Sequence, residues 1–239
     1  QMQDQGFDIQ YIHRDNRSGF KAGALKEGLQ TATGEFVAIF DADFVPCPNF
    51  LKDTIPYFTD PEIGMLQTRW GHINSDYSPL TRAQSMGIDG HFGVEQASRA
   101  WSGFFMNFNG TAGIWRKTTI EDAGGWQADT LTEDLDLSYR AQLRGWKLKF
   151  VSDVVCPAEV PVTINAFKSQ QHRWAKGSIQ TAKKNLGNLF KSDVSPLVKI
   201  QAFLHLTHYM VHPMMLLVVL TSIPMLYSHW FFDSLSFPI

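Results

Sequence analysis

Residues 35–44, "EFVAIFDADF", decide the fold: an unbroken apolar run of strand length stops abruptly at two aspartates, Asp41 and Asp43. A strand without polar alternation fits a sheet covered on both faces, the usual state of parallel strands. Upstream, "AGALKEGLQTATG" sets Leu25 and Leu29 four apart among helix formers and ends at Gly34, a helix with its stop signal. Further upstream, "DIQYIHR" (8–14) reads as a short strand. Downstream, "NFLKDTIPYF" is helical, "IGMLQTRW" a strand, "SPLTRAQSMGIDGHFGVEQASRAW" a long helix and "NGTAGIWRK" a strand after an Asn-Gly turn. "LTEDLDLSYRAQLRG" then gives a capped helix ending at Gly145, and "WKLKFVSD" another strand. Strands alternating with helices predict an α/β domain with a mixed, mostly parallel sheet.

The formal charge of -2, with 18% charged residues, leaves no basic excess for nucleic acid. Cations cluster locally instead: Lys168, Arg173, Lys176, Lys183, Lys184, Lys191 and Lys199 face only Asp193 between residues 165 and 200. Residues 202–227 follow with no Asp, Glu, Lys or Arg. A membrane helix needs about 20 apolar residues, so this run is expected to span, and Pro213 and Pro224 are tolerable there. The cations before it place that side in the cytosol by the positive-inside rule. His205, His208 and His212 share one helical face; the spacing suits either a metal or polar contacts with neighbouring helices. Cys47 and Cys156 are too few for a disulfide framework and are expected as thiols. The chain opens without Met and without a leader pattern and stops just past the apolar run, so it is expected to be a piece of a longer protein.

Three segments can carry chemistry. Residues two apart in an extended chain point the same way, so Asp41 and Asp43 are expected to project together from the strand's carboxyl end, where open α/β sheets bind ligands. Two carboxylates there suit a hard cation such as Mg²⁺; aspartates also serve ordinary turns. Thr132 reads as a helix cap with Glu133 and Asp134 in the first turn. That placement matches the helix dipole in any protein, and it also keeps a carboxylate ionised as a general base. In "SQQHRWAKGSIQTAKKN" (169–185), Arg173 offers a planar fork for phosphate and Trp174 a face for a sugar ring, with Gln170 on the same helical side. An amphipathic helix lying on anionic lipid would use the same residues.

The series "DAD", then "TED" about ninety residues on, then "QQHRW" before an apolar run, resembles the processive inverting glycosyltransferases of family 2, the cellulose synthase-like enzymes that include glucan and mannan synthases. The resemblance covers nearly the whole chain. It implies a GT-A nucleotide-sugar fold at residues 1–164, an amphipathic interfacial segment at 165–200 and a membrane helix from 201 to 239. It implies a multi-pass membrane protein with a cytosolic catalytic domain, and the pattern looks bacterial, of the inner membrane. By this resemblance Asp134 is the catalytic base. Asp43 holds Mg²⁺ or Mn²⁺, and Asp41, Asp43, Lys21, Gly23, Gln170 and Arg173 bind the nucleotide-sugar donor, of UDP-glucose or GDP-mannose type. Trp174, Glu133, Asn109, Gly110 and Thr111 bind the acceptor, a glycan or a lipid; "NGT" is equally a tight turn into a strand. Membrane lipid and additional export or regulatory subunits are further implied partners. The family's first Asp pair lies before the strand at 8–14 and has no counterpart in this sequence. A non-processive glycolipid synthase using diacylglycerol or a lipid carrier, and a silent glycan-binding membrane protein, remain alternatives.

Overall fold

The computed structural model describes residues 3–235. Helix α1 (Phe20–Thr31) leads into β1 (Phe36–Ile39), then α2 (Phe50–Thr54), β2 (Ile63–His72), α3 (Pro79–Gly90), α4 (Ala97–Trp101), β3 (Gly113–Arg116) and α5 (Lys117–Asp122). Helix α6 (Glu133–Leu143), β4 (Lys147–Ala158), α7 (Ile164–Lys191), α8 (Pro196–Leu206) and α9 (Val211–Leu235) complete it. The four strands form one sheet in the order β1-β3-β2-β4. β3 runs antiparallel to both neighbours and β2 parallel to β4, so three of four strands share a direction, as the sequence predicts.

Alternation sends neighbouring residues to opposite faces, and both faces are buried. Met65 and Trp115 join Phe92, Phe108, Leu137 and Phe150 in one core. Leu66 and Ile114, their chain neighbours, join Phe50, Phe58, Val151 and Cys156 in the other. This is why the strands read as continuous apolar runs. A third cluster, including Phe105, Leu135, Tyr139, Leu189, Ala202 and Leu206, fixes α7 and α8 against α6.

Several expectations change. Residues 8–14 are not a strand: they pair with no other strand among the described residues, and Tyr11 is 86% exposed. Propensity alone does not hold a strand without a neighbour to complete its ladder. Helix 50–59 tightens to 3₁₀ geometry from Ile55, where Pro56 lacks the donor an α-turn needs. The long helix at 79–101 is interrupted by a π-helical turn at His91–Gln96. The uncharged run at 202–227 is two helices, broken by a 3₁₀ turn at His208–Met210. That break separates the three histidines: His205 is buried on α8 with Nδ1 2.8 Å from the Tyr139 hydroxyl, while His212 lies on α9. Residues His208–Met225 are long and apolar enough to cross a membrane, and none of that stretch is buried.

Candidate functional site

The reversed direction of β3 builds the site. Its first residue, Gly113, pairs with Ile39 at the end of β1 and with Gln67 on β2. The segment entering β3 therefore lies beside the segment leaving β1. The Asp41 amide donates to the Thr111 hydroxyl (2.8 Å), and the Ala112 amide to the Ile39 carbonyl (2.8 Å). Gly110 and Ala112 both have left-handed backbones (φ 86° and 54°), so "NGTA" is a tight loop and the strand starts at Gly113, two residues later than expected after the Asn-Gly turn.

Helix α6 holds that loop with a polar stripe at four-residue spacing. Gln142 takes the Met106 amide (3.0 Å) and donates to its carbonyl (2.8 Å), and the Ser138 hydroxyl accepts from Phe108 N (2.8 Å). Asp134 is the next position on the stripe, facing Gly110: a Cβ on Gly110 would lie 3.0 Å from Asp134 Oδ2. From β2, the buried Gln67 accepts from the Asn109 amide (2.9 Å) and donates to the carbonyls of Thr111 and Ala112 (3.1 Å each). Lys21 bridges the two sides, donating to Asp41 Oδ1 (2.5 Å) and to the Gly110 carbonyl (2.9 Å).

The electrostatics differ from the expectation at Asp134. Burial, reinforced by the neighbouring Glu133 carboxylate, raises Asp134 to about 7 despite the Leu135 amide and Lys21. Desolvation therefore outweighs the helix dipole, and the group is not simply held ionised. Glu133 is also raised, first by burial; Lys21 and Arg173 oppose the shift and Asp41 adds to it.

A cavity of about 160 Å³ opens beside Asp134, lined also by Asn107, Asn109, His91, Trp70 and Trp174. Trp174 enters from α7, whose first half, carrying exposed Arg173 and half-buried Gln170, stands clear of the body. The second half is buried. There Gly177 lets α7 approach: a methyl would lie 2.5 Å from Thr132 Cγ2. Lys184 is a structural cation, bonded to Asp136 Oδ2 (2.9 Å), Asp129 (2.7 Å) and Gln127 (2.6 Å). Asp136 is fully buried and also accepts from Arg140 Nε (2.9 Å) and Asn185 (2.9 Å).

Asp43 is exposed and unpaired among the described residues. It lies in a turn closed by Phe44 N on the Asp41 carbonyl (3.0 Å), so the two aspartates do not share an extended strand as expected. Among the described residues no three His, Cys, Asp or Glu side chains converge as a preformed metal site. A lone carboxylate free of partners still fits a cation that takes its remaining ligands from phosphate and water. Gly23 has a packing role: a Cβ would lie 2.2 Å from the Ser18 carbonyl. Sequence reasoning missed His91, Asn107, Trp70 and Gln67; only the spacing of Ser138 and Gln142 from Asp134 was there to be read.

Residues 1–177 match the model of the glycosyltransferase-like family 2. The chain is 47% identical over 198 residues to glucomannan 4-β-mannosyltransferase 1 of Cyamopsis tetragonoloba, covering 81% of this chain and 38% of that protein. It is equally 47% identical over 198 residues to glucomannan 4-β-mannosyltransferase 2 of Arabidopsis thaliana, covering 81% and 36%. The chain thus spans little more than a third of these relatives, and they are plant proteins, so the bacterial setting finds no support. Among solved structures, a mannosyltransferase of Pyrobaculum calidifontis in complex with GDP-Man and Mn²⁺ superposes with TM-score 0.57 at 21% identity, over 84% of this chain and 51% of that one. S. aureus TarS in complex with UDP gives 0.56 at 16% identity, over 87% and 57%. At such identities the likeness establishes the fold, which is GT-A-like. With the matching family model over most of its length, the chain belongs to glycosyltransferase family 2.

Proposed function

We propose that the full-length protein is a membrane-associated inverting hexosyltransferase that extends a β-linked polysaccharide with mannose from a GDP-mannose-type donor. The observation that carries this reading is Asp134: a carboxylate raised to about 7, in a cavity faced by the Trp174 indole, next to the Lys21–Asp41 pair. A base with its pKa near working pH combines a usable ionised fraction with real proton affinity. The names of the relatives and of the solved mannosyltransferase support mannose over glucose.

In this scheme the acceptor sugar stacks on Trp174 and presents one hydroxyl to Asp134. Asp134 takes the proton as the oxygen attacks the anomeric carbon, and the carbon–phosphate-oxygen bond breaks on the opposite face, giving inversion. Lys21 and Arg173 offset charge on the departing diphosphate, with Gln170 as a neutral donor. Asp43, with Asp41 behind it, would hold Mg²⁺ or Mn²⁺, which when bound neutralises the leaving group. Residues 1–164 supply the nucleotide-sugar domain, 165–200 join it to the membrane, and the apolar helix beyond anchors it.

The test uses the full-length protein in membrane vesicles with Mg²⁺ and labelled GDP-mannose or UDP-glucose, each alone. A long product from GDP-mannose, cut by a β-mannanase, is expected. A small organic-soluble product would overturn the polysaccharide assignment, and incorporation from UDP-glucose alone would overturn the donor.

A further inference from the structure

The π-helical turn at His91–Gln96 has no part in the scheme above, and it touches the same cavity. Such turns are rare, and their hydrogen bonds run i to i+5, which stacks residue i+5 over residue i. In an α-helix, residues five apart would diverge by about 140°. Here His91 and Gln96, five apart, both reach the loop that enters β3. His91 Nε2 lies 3.1 Å from Asn109 Oδ1, and Gln96 Nε2 donates to the Asn107 carbonyl (2.6 Å). The other imidazole nitrogen is 3.0 Å from Glu95 Oε2, and Glu95 is held in turn by Arg99 (3.3 Å).

The amides so held are incompletely satisfied. Asn107 Nδ2 donates to Asn109 Oδ1 (2.8 Å), which leaves Asn107 Oδ1 and Asn109 Nδ2 buried without a partner. Both residues line the cavity that contains Asp134 and Trp174. A buried donor and acceptor left unpaired are costly, and a site built to pair with hydroxyls discriminates strongly through such groups.

We infer that His91, braced by Glu95, is a positioning residue that fixes the Asn109 amide for its contact with the acceptor sugar, and that Asn107 adds a second amide to the same contact. This deepens the proposed transferase reading and rests on it. The π turn is the device behind it, since it brings His91 and Gln96 to the same loop where an α-helical turn would set them about 140° apart.

The experiment measures KM separately for the donor and for an added manno-oligosaccharide primer, using full-length protein in membranes. Losing one neutral hydrogen bond to a sugar is worth roughly tenfold in binding. Asn109→Ala and His91→Ala should each raise primer KM by about that factor and leave donor KM within about twofold. Glu95→Gln should raise primer KM by about threefold, and His91→Gln, which keeps a donor, should restore most of the loss. Equal shifts in donor and primer KM, or an unmoved primer KM in active His91→Ala membranes, overturn the inference. Wild-type membranes that transfer no sugar from either donor overturn the transferase reading itself, which is a separate result.

Discussion

At the scale of single residues, Asp134 and Glu133 make the sharpest test. Asp134→Asn should reduce transfer by roughly a thousandfold, the range for losing a general base, while donor affinity measured by nucleotide-sugar titration stays within a few fold. The base must be deprotonated, so kcat/KM should fall as pH drops through about 7, where burial and Glu133 place Asp134. Glu133→Gln removes a negative neighbour that raises Asp134, so the acid limb should move to lower pH. A midpoint indifferent to Glu133 would show that another group controls it. Asp134 and Trp174 were legible as candidates because motif order exposes them, and the fold brings both to one cavity. The raised pKa was not legible, since it depends on how deeply the fold buries one end of α6. Asp43 and Asp41 were visible as residues, but their relation was misread as extended because a turn after a strand has the same composition.

At the scale of elements, α6 and α7 form one unit. Asp136 is buried beneath Arg140, Lys184 and Asn185, and breaking such a pair from one side costs about 3 kcal/mol or more. Asp136→Ala should therefore lower the unfolding temperature of the solubilised full-length protein clearly, whereas Lys183→Ala, on the same helix without these contacts, should not. Nothing in "AKKN" tells Lys184 from Lys183; the difference is a rotation of about 100° about the helix axis. The loop against α6 invites a second test. Gly110→Ala should reduce kcat more than donor binding, because its Cβ meets the Asp134 carboxylate and its left-handed backbone disfavours a side chain. Helix existence was readable from periodicity and caps. The π turn was not; the break at His208–Met210 falls one turn before Pro213, which has no amide to bond the Tyr209 carbonyl and so stops one helix from continuing into the next.

At the scale of the whole molecule, the sheet carries the stability. Trp115 is fully buried at the centre of β3 and meets Phe108 and Trp126 edge-on, at 5.7 and 6.0 Å. Trp115→Ala should cost about 3–5 kcal/mol, read as a lower unfolding temperature of the solubilised protein. The α/β architecture was legible because strands covered on both faces leave unbroken apolar runs. The position of β3 was not, because strand order depends on pairings between distant segments. That one reversed strand also has a consequence for how such a protein can diversify. The segment leaving β1 and the segment entering β3 meet at the same end of the sheet, separated by about seventy residues of sequence, and are tied there by the Ala112–Ile39 and Asp41–Thr111 bonds and by Lys21, which reaches both. The Ala112–Ile39 tie runs from backbone to backbone, so side chains in either segment can change while the two stay joined.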